Sequence, residues 1–181
     1  MPKTETVKGV QALLNAVRKR SEQLGVKTII VASTKGATGV RVAESFRGYN
    51  VVVVTHSTGF IGPDVQELTA ENRERILKAG GKILTTTHAF GGLGRAIRRK
   101  FGTYQFDEIV ANTLRIFGQG VKVAVEIALM AADSGFISLN EDVISIGGSG
   151  EGADTALVLR AANVQDFFDV KVHEIVCKPW L

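Results

Sequence analysis

Two stretches of small, hydrogen-bonding residues have the chemistry to hold an anion. One is Ser33, Thr34, Lys35, Gly36, Ala37, Thr38 and Gly39; the other runs through Gly147, Gly148, Ser149, Gly150, Glu151, Gly152, Ala153, Asp154 and Thr155. Their hydroxyls donate and accept, and their glycines let backbone N–H groups come close to a ligand. The first follows an apolar run that starts at Val26 and the second follows residues 143–146; both lead into segments that read as helices. A strand that turns through glycine into a helix aims amides and the positive helix end at one point, which suits a phosphate. Two further turns have the same position in the pattern. Thr55, His56, Ser57, Thr58 and Gly59 follow a run of four valines, and Thr86, Thr87, His88, Ala89, Phe90, Gly91, Gly92, Leu93 and Gly94 close the next strand-like run. His56 and His88 are the candidate catalytic residues, as acid, base or hydrogen-bond donor. No carboxylate stands at an obvious partnering distance from either in sequence, so the plainer reading, polar loop residues lining a pocket, stands beside the chemical one.

The motifs exclude several classes. Neither loop closes with the Gly-Lys-Ser/Thr of a P-loop, and the spacing of Gly148, Gly150 and Gly152 is not the dinucleotide fingerprint, so a nucleoside triphosphatase is not expected. Lys35 reads either as a phosphate partner or as an exposed loop lysine. Glu151 would be an awkward neighbour for a phosphate, and Asp154 reads as the cap of a helix starting near Thr155. With no His-x-x-x-His, cysteine pair or clustered aspartates, no metal site is expected. The only cysteine, Cys177, ends an apolar run and reads as core, and His173 alternates along the same run as a structural residue.

The elements that must position these loops follow from periodicity. Val7, Val10, Leu13, Leu14, Val17 and Leu24 recur at helical spacing before the stop signal Gly25. Residues 27–33 and 51–54 lack alternation, as strands covered on both faces do, with a helix over 39–46 between them. A capped surface helix is expected over 70–79, a strand over 82–87, and a helix through about 101. Two more helices cover 106–117 and 119–132, the second apolar enough to be largely buried. Strand 143–146, helix 155–162 and strand 170–176 complete the order. Right-handed crossovers then specify a three-layer αβα sandwich with a mostly parallel, doubly wound sheet. The four polar loops would rim one crevice at the carboxyl ends of its strands, where such sheets bind ligands.

At 181 residues, 45% hydrophobic and 22% charged, one domain spanning 1–181 is the expectation. The polar start, residues 1–6, does not read as a signal peptide, and the run over 121–132 is too short and too interrupted by Lys122 and Glu126 to span a membrane. A cytoplasmic protein without membrane contact is expected. A net charge of +4 and a pI near 9.3 permit anionic partners without requiring nucleic acid. Arg18, Lys19 and Arg20, and later Arg95, Arg98, Arg99 and Lys100, read as solvated helix faces with no interleaved aromatics to stack bases.

Residues 26–54, with Ile29, Ile30, Val31 and Ala32 running into Ser33, Thr34, Lys35, Gly36, Ala37 and Thr38, resemble the opening of the pyruvate kinase C-terminal α/β domain. Asp142 through Gly150, followed by Asp154, Thr155 and Ala156 and a final strand, is similar to its closing part. The resemblance implies that Ser33, Thr34, Gly36, Ala37 and Thr38 cradle a phosphate and that Gly148 to Gly152 cover the ligand, which in that family is a sugar bisphosphate. Kinase activity is not implied, because that family's chemistry resides in a separate barrel. The chain looks most like stand-alone archaeal versions of the domain, for which FMN is a plausible ligand, with Thr and Ser side chains on its ribityl hydroxyls and Phe60, Phe90 or Leu93 against its ring. The expected function is therefore binding of a phosphorylated small molecule, FMN or otherwise a sugar phosphate. A small flavin-dependent oxidoreductase and a basic nucleic-acid binder are the alternatives. Subunit contacts made by this domain in pyruvate kinase make a homo-oligomer reasonable.

Overall fold

The computed structural model describes residues 9–180. Val7 of the opening pattern and the polar start at residues 1–6 lie outside them. Helix α1 (Val10–Leu24) ends where expected: Gly25 takes the left-handed conformation at φ 68° and its N–H bonds to Glu22 O. Strand β1 (Thr28–Ala32) follows, then α2 (Ala37–Ser45), β2 (Asn50–Val54), α3 (Ala70–Lys78), β3 (Lys82–Leu84), α4 (Leu93–Phe101), α5 (Phe106–Arg115), α6 (Gln119–Asp133) and β4 (Asp142–Gly147). β5 (Thr155–Arg160), a 3₁₀ turn (Val164–Asp169) and β6 (Lys171–Cys177) close the order.

The six strands form one sheet in the order β3-β2-β1-β4-β5-β6. β1 pairs in parallel with both β2 and β4, placing Ile30 between Val52 and Ser145. Because every second residue faces the same side, the valine and isoleucine runs feed two cores at once. Ile29, Val31, Val51, Val53, Ile144 and Ile146 pack beneath α1, α2 and α3 through Leu13, Val17, Val40, Phe46 and Ile76. Ile30, Val52, Val54 and Val143 pack on the other side against α5 and α6 through Ala111, Val121, Val125 and Leu129. Each such side chain, fully buried, contributes about 1.5–3 kcal/mol of transfer free energy. Cys177 is buried in the first core. Helices thus cover both faces, as the three-layer expectation required.

One element differs in kind. Residues 155–162 were expected to form a helix, but Thr155–Arg160 is a strand that pairs antiparallel with β4, joined to it as a hairpin. Alanine and leucine favour a helix there, yet β5 lies between β4 and β6 and buries both faces, and that pairing overrides local propensity. Asp154 therefore caps no helix. Its carboxylate accepts from Ser149 N–H at 3.0 Å and from the Thr155 hydroxyl at 2.7 Å, and its own N–H bonds to Gly147 O at 3.1 Å, closing the hairpin turn. The third strand is also shorter than expected, ending at Leu84, because the chain leaves the sheet at Thr85 to Thr87 to form a wall of the site.

The first turn of α6 packs on the hairpin with no room for side chains. A Cβ at Gly147 would stand 2.3 Å from Gly120 O, and one at Gly120 would stand 2.1 Å from Thr155 Oγ1. Gly147→Ala must push α6 from β4, an overpacking cost of about 1–3 kcal/mol, whereas Gly150→Ala, with open space around it, should cost under about 0.5 kcal/mol. Urea unfolding of the two variants measures the difference.

Candidate functional site

The chain leaves β1 toward β2 on one side, while β4 and its hairpin lie on the other, so a crevice opens between their carboxyl ends. It encloses about 670 Å³. One wall is Ser33, Thr34, Lys35, Ala37 and Thr38; the facing wall is Gly148, Ser149, Gly150, Glu151 and Gly152, with Arg41, His56, Gln119 and Val123 between. Ser33 supports this wall more than it faces a ligand. It is buried, its N–H bonds to Val54 O, and its Oγ accepts the Gly39 N–H at 3.0 Å inside the first turn of α2. The amides of Ala37 and Thr38, earlier in that turn, have no intrahelical acceptor and open on the crevice. Gly36 must be glycine: its φ is 98°, and a Cβ would lie 2.6 Å from Asn72 Cβ. From α3, Asn72 Nδ2 donates to Lys35 O at 2.9 Å and fixes the loop. Of the other residues expected here, Gly39 packs inside α2 on Val53, and Gly147, Asp154 and Thr155 build the hairpin base.

Behind the crevice lies a smaller chamber of about 240 Å³, lined in part by Thr55, His56, Phe60, His88, Arg95, Arg115, Lys122 and Glu126. Thr55 is buried, its hydroxyl 2.7 Å from that of Thr85. The Phe60 ring lies 4.1 Å from the His56 ring and 5.0 Å from the His88 ring, and the Arg95 guanidinium sits 4.8 Å over it. Both histidines have the carboxylates that sequence did not supply. His56 Nδ1 is 2.7 Å from Glu67 Oε2, and His88 Nδ1 is 3.9 Å from Glu126 Oε1. Glu126 also accepts the Phe90 N–H at 3.0 Å and pairs with Lys122 one turn earlier in α6. Two opposite charges four residues apart in the most apolar helix were the legible signal for this cluster; sequence reading used them only to exclude a membrane span. Nothing local marks Glu67, which reaches His56 through the path of its loop.

Burial dominates the chemistry of the chamber. It pushes the His88 pKa down against the opposing pull of Glu126, and the charges of His56, Lys122 and Arg95 act in the same direction as burial. His88 Nε2 is buried without a hydrogen-bond partner among the described residues. Lys122 is likewise lowered by burial, offset in part by Glu126.

A third, outer pocket of about 610 Å³ adjoins the chamber at Phe60, His88 and Arg95 and is walled by Ser57, Thr87, Gly91, Gly92, Arg99 and Lys100. The basic run of α4 is thus not simply a solvated face: Arg95 stacks on Phe60, and Arg98 pairs with Glu108 at 2.6 Å. Two apolar candidates lie elsewhere. Phe90 turns its ring into the core, 5.8 Å from that of Phe167, and Leu93 stands in solvent at 79% exposure. Phe60 alone of the three expected ring contacts lines the cavities.

Residues 11–159 match the family described as pyruvate kinase, alpha/beta domain, and the chain belongs to that family. Among solved structures, a pyruvate kinase from Cryptosporidium parvum is 14% identical over 90% of this chain and 24% of its own, with a TM-score of 0.43. A C. parvum pyruvate kinase in complex with ADP gives 14%, 90%, 25% and 0.43. An O-ureido-L-serine synthase is 24% identical over 51% of this chain and 29% of its own, with a TM-score of 0.31. This chain therefore spans less than a third of the length of each. No helix among the described residues is long and apolar enough to cross a membrane.

Two outcomes follow for the chamber. Glu126→Gln leaves Lys122 buried without its countercharge and should cost about 3–5 kcal/mol in chemical unfolding. Because folding holds His88 below its ordinary value of 6.5, the unfolded chain takes up that proton first as pH falls. Stability should therefore decline as pH drops through and below that value, and His88→Asn should flatten this part of a melting-temperature profile.

Proposed function

We propose that this domain binds a phosphorylated small molecule, FMN foremost, in the crevice between β1 and β4. The observation that carries this reading is the pairing, across about 670 Å³ at the strand-order reversal, of a hydroxyl-bearing loop at the start of α2 with a glycine hairpin. A phosphate would meet the first-turn amides of Ala37 and Thr38 with the Thr34 and Thr38 hydroxyls, and the glycines at 148, 150 and 152 would let the hairpin backbone close over the remainder. The volume lies within the range of pockets for ligands of this size. Ribityl hydroxyls have partners in Ser149 and Gln119, and the ring has the Phe60 stack on the chamber side. Kinase chemistry is no part of this reading.

A second reading, a flavin-dependent oxidoreductase, is favoured by one feature: His88, its pKa lowered by burial, beside the Lys122 and Glu126 pair, with no hydrogen-bond partner at Nε2 among the described residues. It requires substrate-dependent flavin reduction that is lost in His88→Ala.

FMN fluorescence titration tests the binding. Thr38→Val should weaken FMN about tenfold, the loss of one charge-assisted hydrogen bond. Riboflavin, lacking the phosphate, should bind at least that much more weakly to the unaltered protein, and a sugar phosphate should compete with FMN. Equal affinity for riboflavin and FMN would remove the phosphate cradle from the reading.

A further inference from the structure

Three side chains from separate segments meet at the junction of crevice and chamber. Thr34 Oγ1 lies 3.4 Å from His56 Nε2, and His56 Nδ1 lies 2.7 Å from Glu67 Oε2. The carboxylate accepts at Nδ1, so Nδ1 carries the ring proton and Nε2 presents its lone pair to the Thr34 hydroxyl. We infer that Thr34, His56 and Glu67 form a nucleophile, a general base and an orienting carboxylate that hydrolyse a carboxylic ester in the crevice. The reaction needs no flavin, and because Thr34 and the first-turn amides of α2 lie in the crevice given above to the phosphate, bound FMN and an ester would compete for it.

The arrangement is held from outside the three residues. Glu67 sits between Gln66 and Leu68, whose positions are locked together: Gln66 Nε2 donates to His56 O at 3.1 Å, and Leu68 N–H donates to Gln66 Oε1 at 2.9 Å. The same segment continues to Asn72, which bonds Lys35 O beside Thr34. One stretch of chain therefore sets the base against the nucleophile. Glu67 is mostly buried, with 13% of its side chain exposed, while His56 keeps 30% and opens on both cavities. A separation of 3.4 Å before substrate binds is within the looser range of such pairs in empty sites.

The step balances without another reactant. Thr34 Oγ bonds to the ester carbonyl carbon as its proton passes to His56 Nε2, and the carbonyl electrons move to oxygen, where the first-turn amides of α2 offer donors. Collapse breaks the carbon–oxygen bond to the alcohol, which leaves with the proton from Nε2. Water then gives a proton to His56 and adds to the acyl carbon. The carboxylic acid leaves and Thr34 regains its hydrogen. Glu67 stays ionised and stabilises the imidazolium.

The test is hydrolysis of p-nitrophenyl butyrate by the intact protein without FMN, with mass analysis after treatment with a fluorophosphonate. The expected result is a phosphonyl adduct on Thr34, loss of kcat/KM by about 100-fold or more in Thr34→Ala and His56→Ala, and retention of activity in Thr34→Ser. Glu67→Gln should lower kcat with KM unchanged, which a merely structural role would not do. Unchanged hydrolysis by a folded Thr34→Ala variant, an adduct on another residue, no hydrolysis above buffer, or cleavage of p-nitrophenyl phosphate in place of the butyrate would each overturn the assignment. Failure to bind FMN leaves all of these outcomes readable.

Discussion

The site exists because β1 is paired in parallel on both sides by strands whose connections leave in opposite directions. Among the described residues no segment crosses over the carboxyl end of β1 to fill the space, so the loop at 33–36 faces the 148–154 hairpin across a gap. The facing of the two loops hangs on that gap being held open at one width. The glycine contact between α6 and β4 sets it: with Gly120 and Gly147 in direct backbone approach, the helix lies low against the sheet and its first turn reaches the crevice floor. A bulkier pair would lift the helix and displace Gln119 and Val123 together.

The same helix brings charge into the interior. Lys122 and Glu126 are both nearly inaccessible, a costly arrangement unless each satisfies the other. Glu126 offsets the cost further by taking the Phe90 N–H, which ties the β3–α4 turn to α6 and leaves the Phe90 ring in the core. A buried pair is weak support for stability. Its value here is positional: it stations a carboxylate opposite His88 and sets the Lys122 Nζ over the Phe90 ring. The chamber is thus polar in its floor and aromatic in its wall, and the outer pocket over α4 extends it toward Arg99 and Lys100. α4 itself buries no residue and packs mainly on α5, so that wall is the least firmly held part of the site.

Much of the architecture was legible in order and kind. The apolar runs without alternation marked β1 and β2, the glycine stops marked α1 and α3, and the predominantly apolar pattern over 119–132, broken by Lys122 and Glu126, marked α6. The loops at 33–39 and 147–155 stood out by composition; one glycine turn after a strand is by itself commonly a mere chain reversal, and it is the fold that sets residues of the two loops on one crevice. β5 was not legible. Six residues of Thr, Ala, Leu, Val, Leu and Arg satisfy either period, and only the open edge of β4 decides between them.

What the sequence by itself determined is local: which segments pair or coil, where the chain reverses, and which loops carry donors. Those follow from side-chain shape and backbone freedom, which act over a few residues. The partnerships of the candidate chemical groups were decided by tertiary structure alone. Glu67 meets His56 because its loop folds back over the end of β2, Thr34 joins them because β1 lies beside β2, and Glu126 faces His88 because α6 crosses beneath β3's outgoing turn. Hydrogen bonds and ion pairs act over about 3 Å, and a distance of that size between residues far apart in the chain is set by the packing of the layers between them.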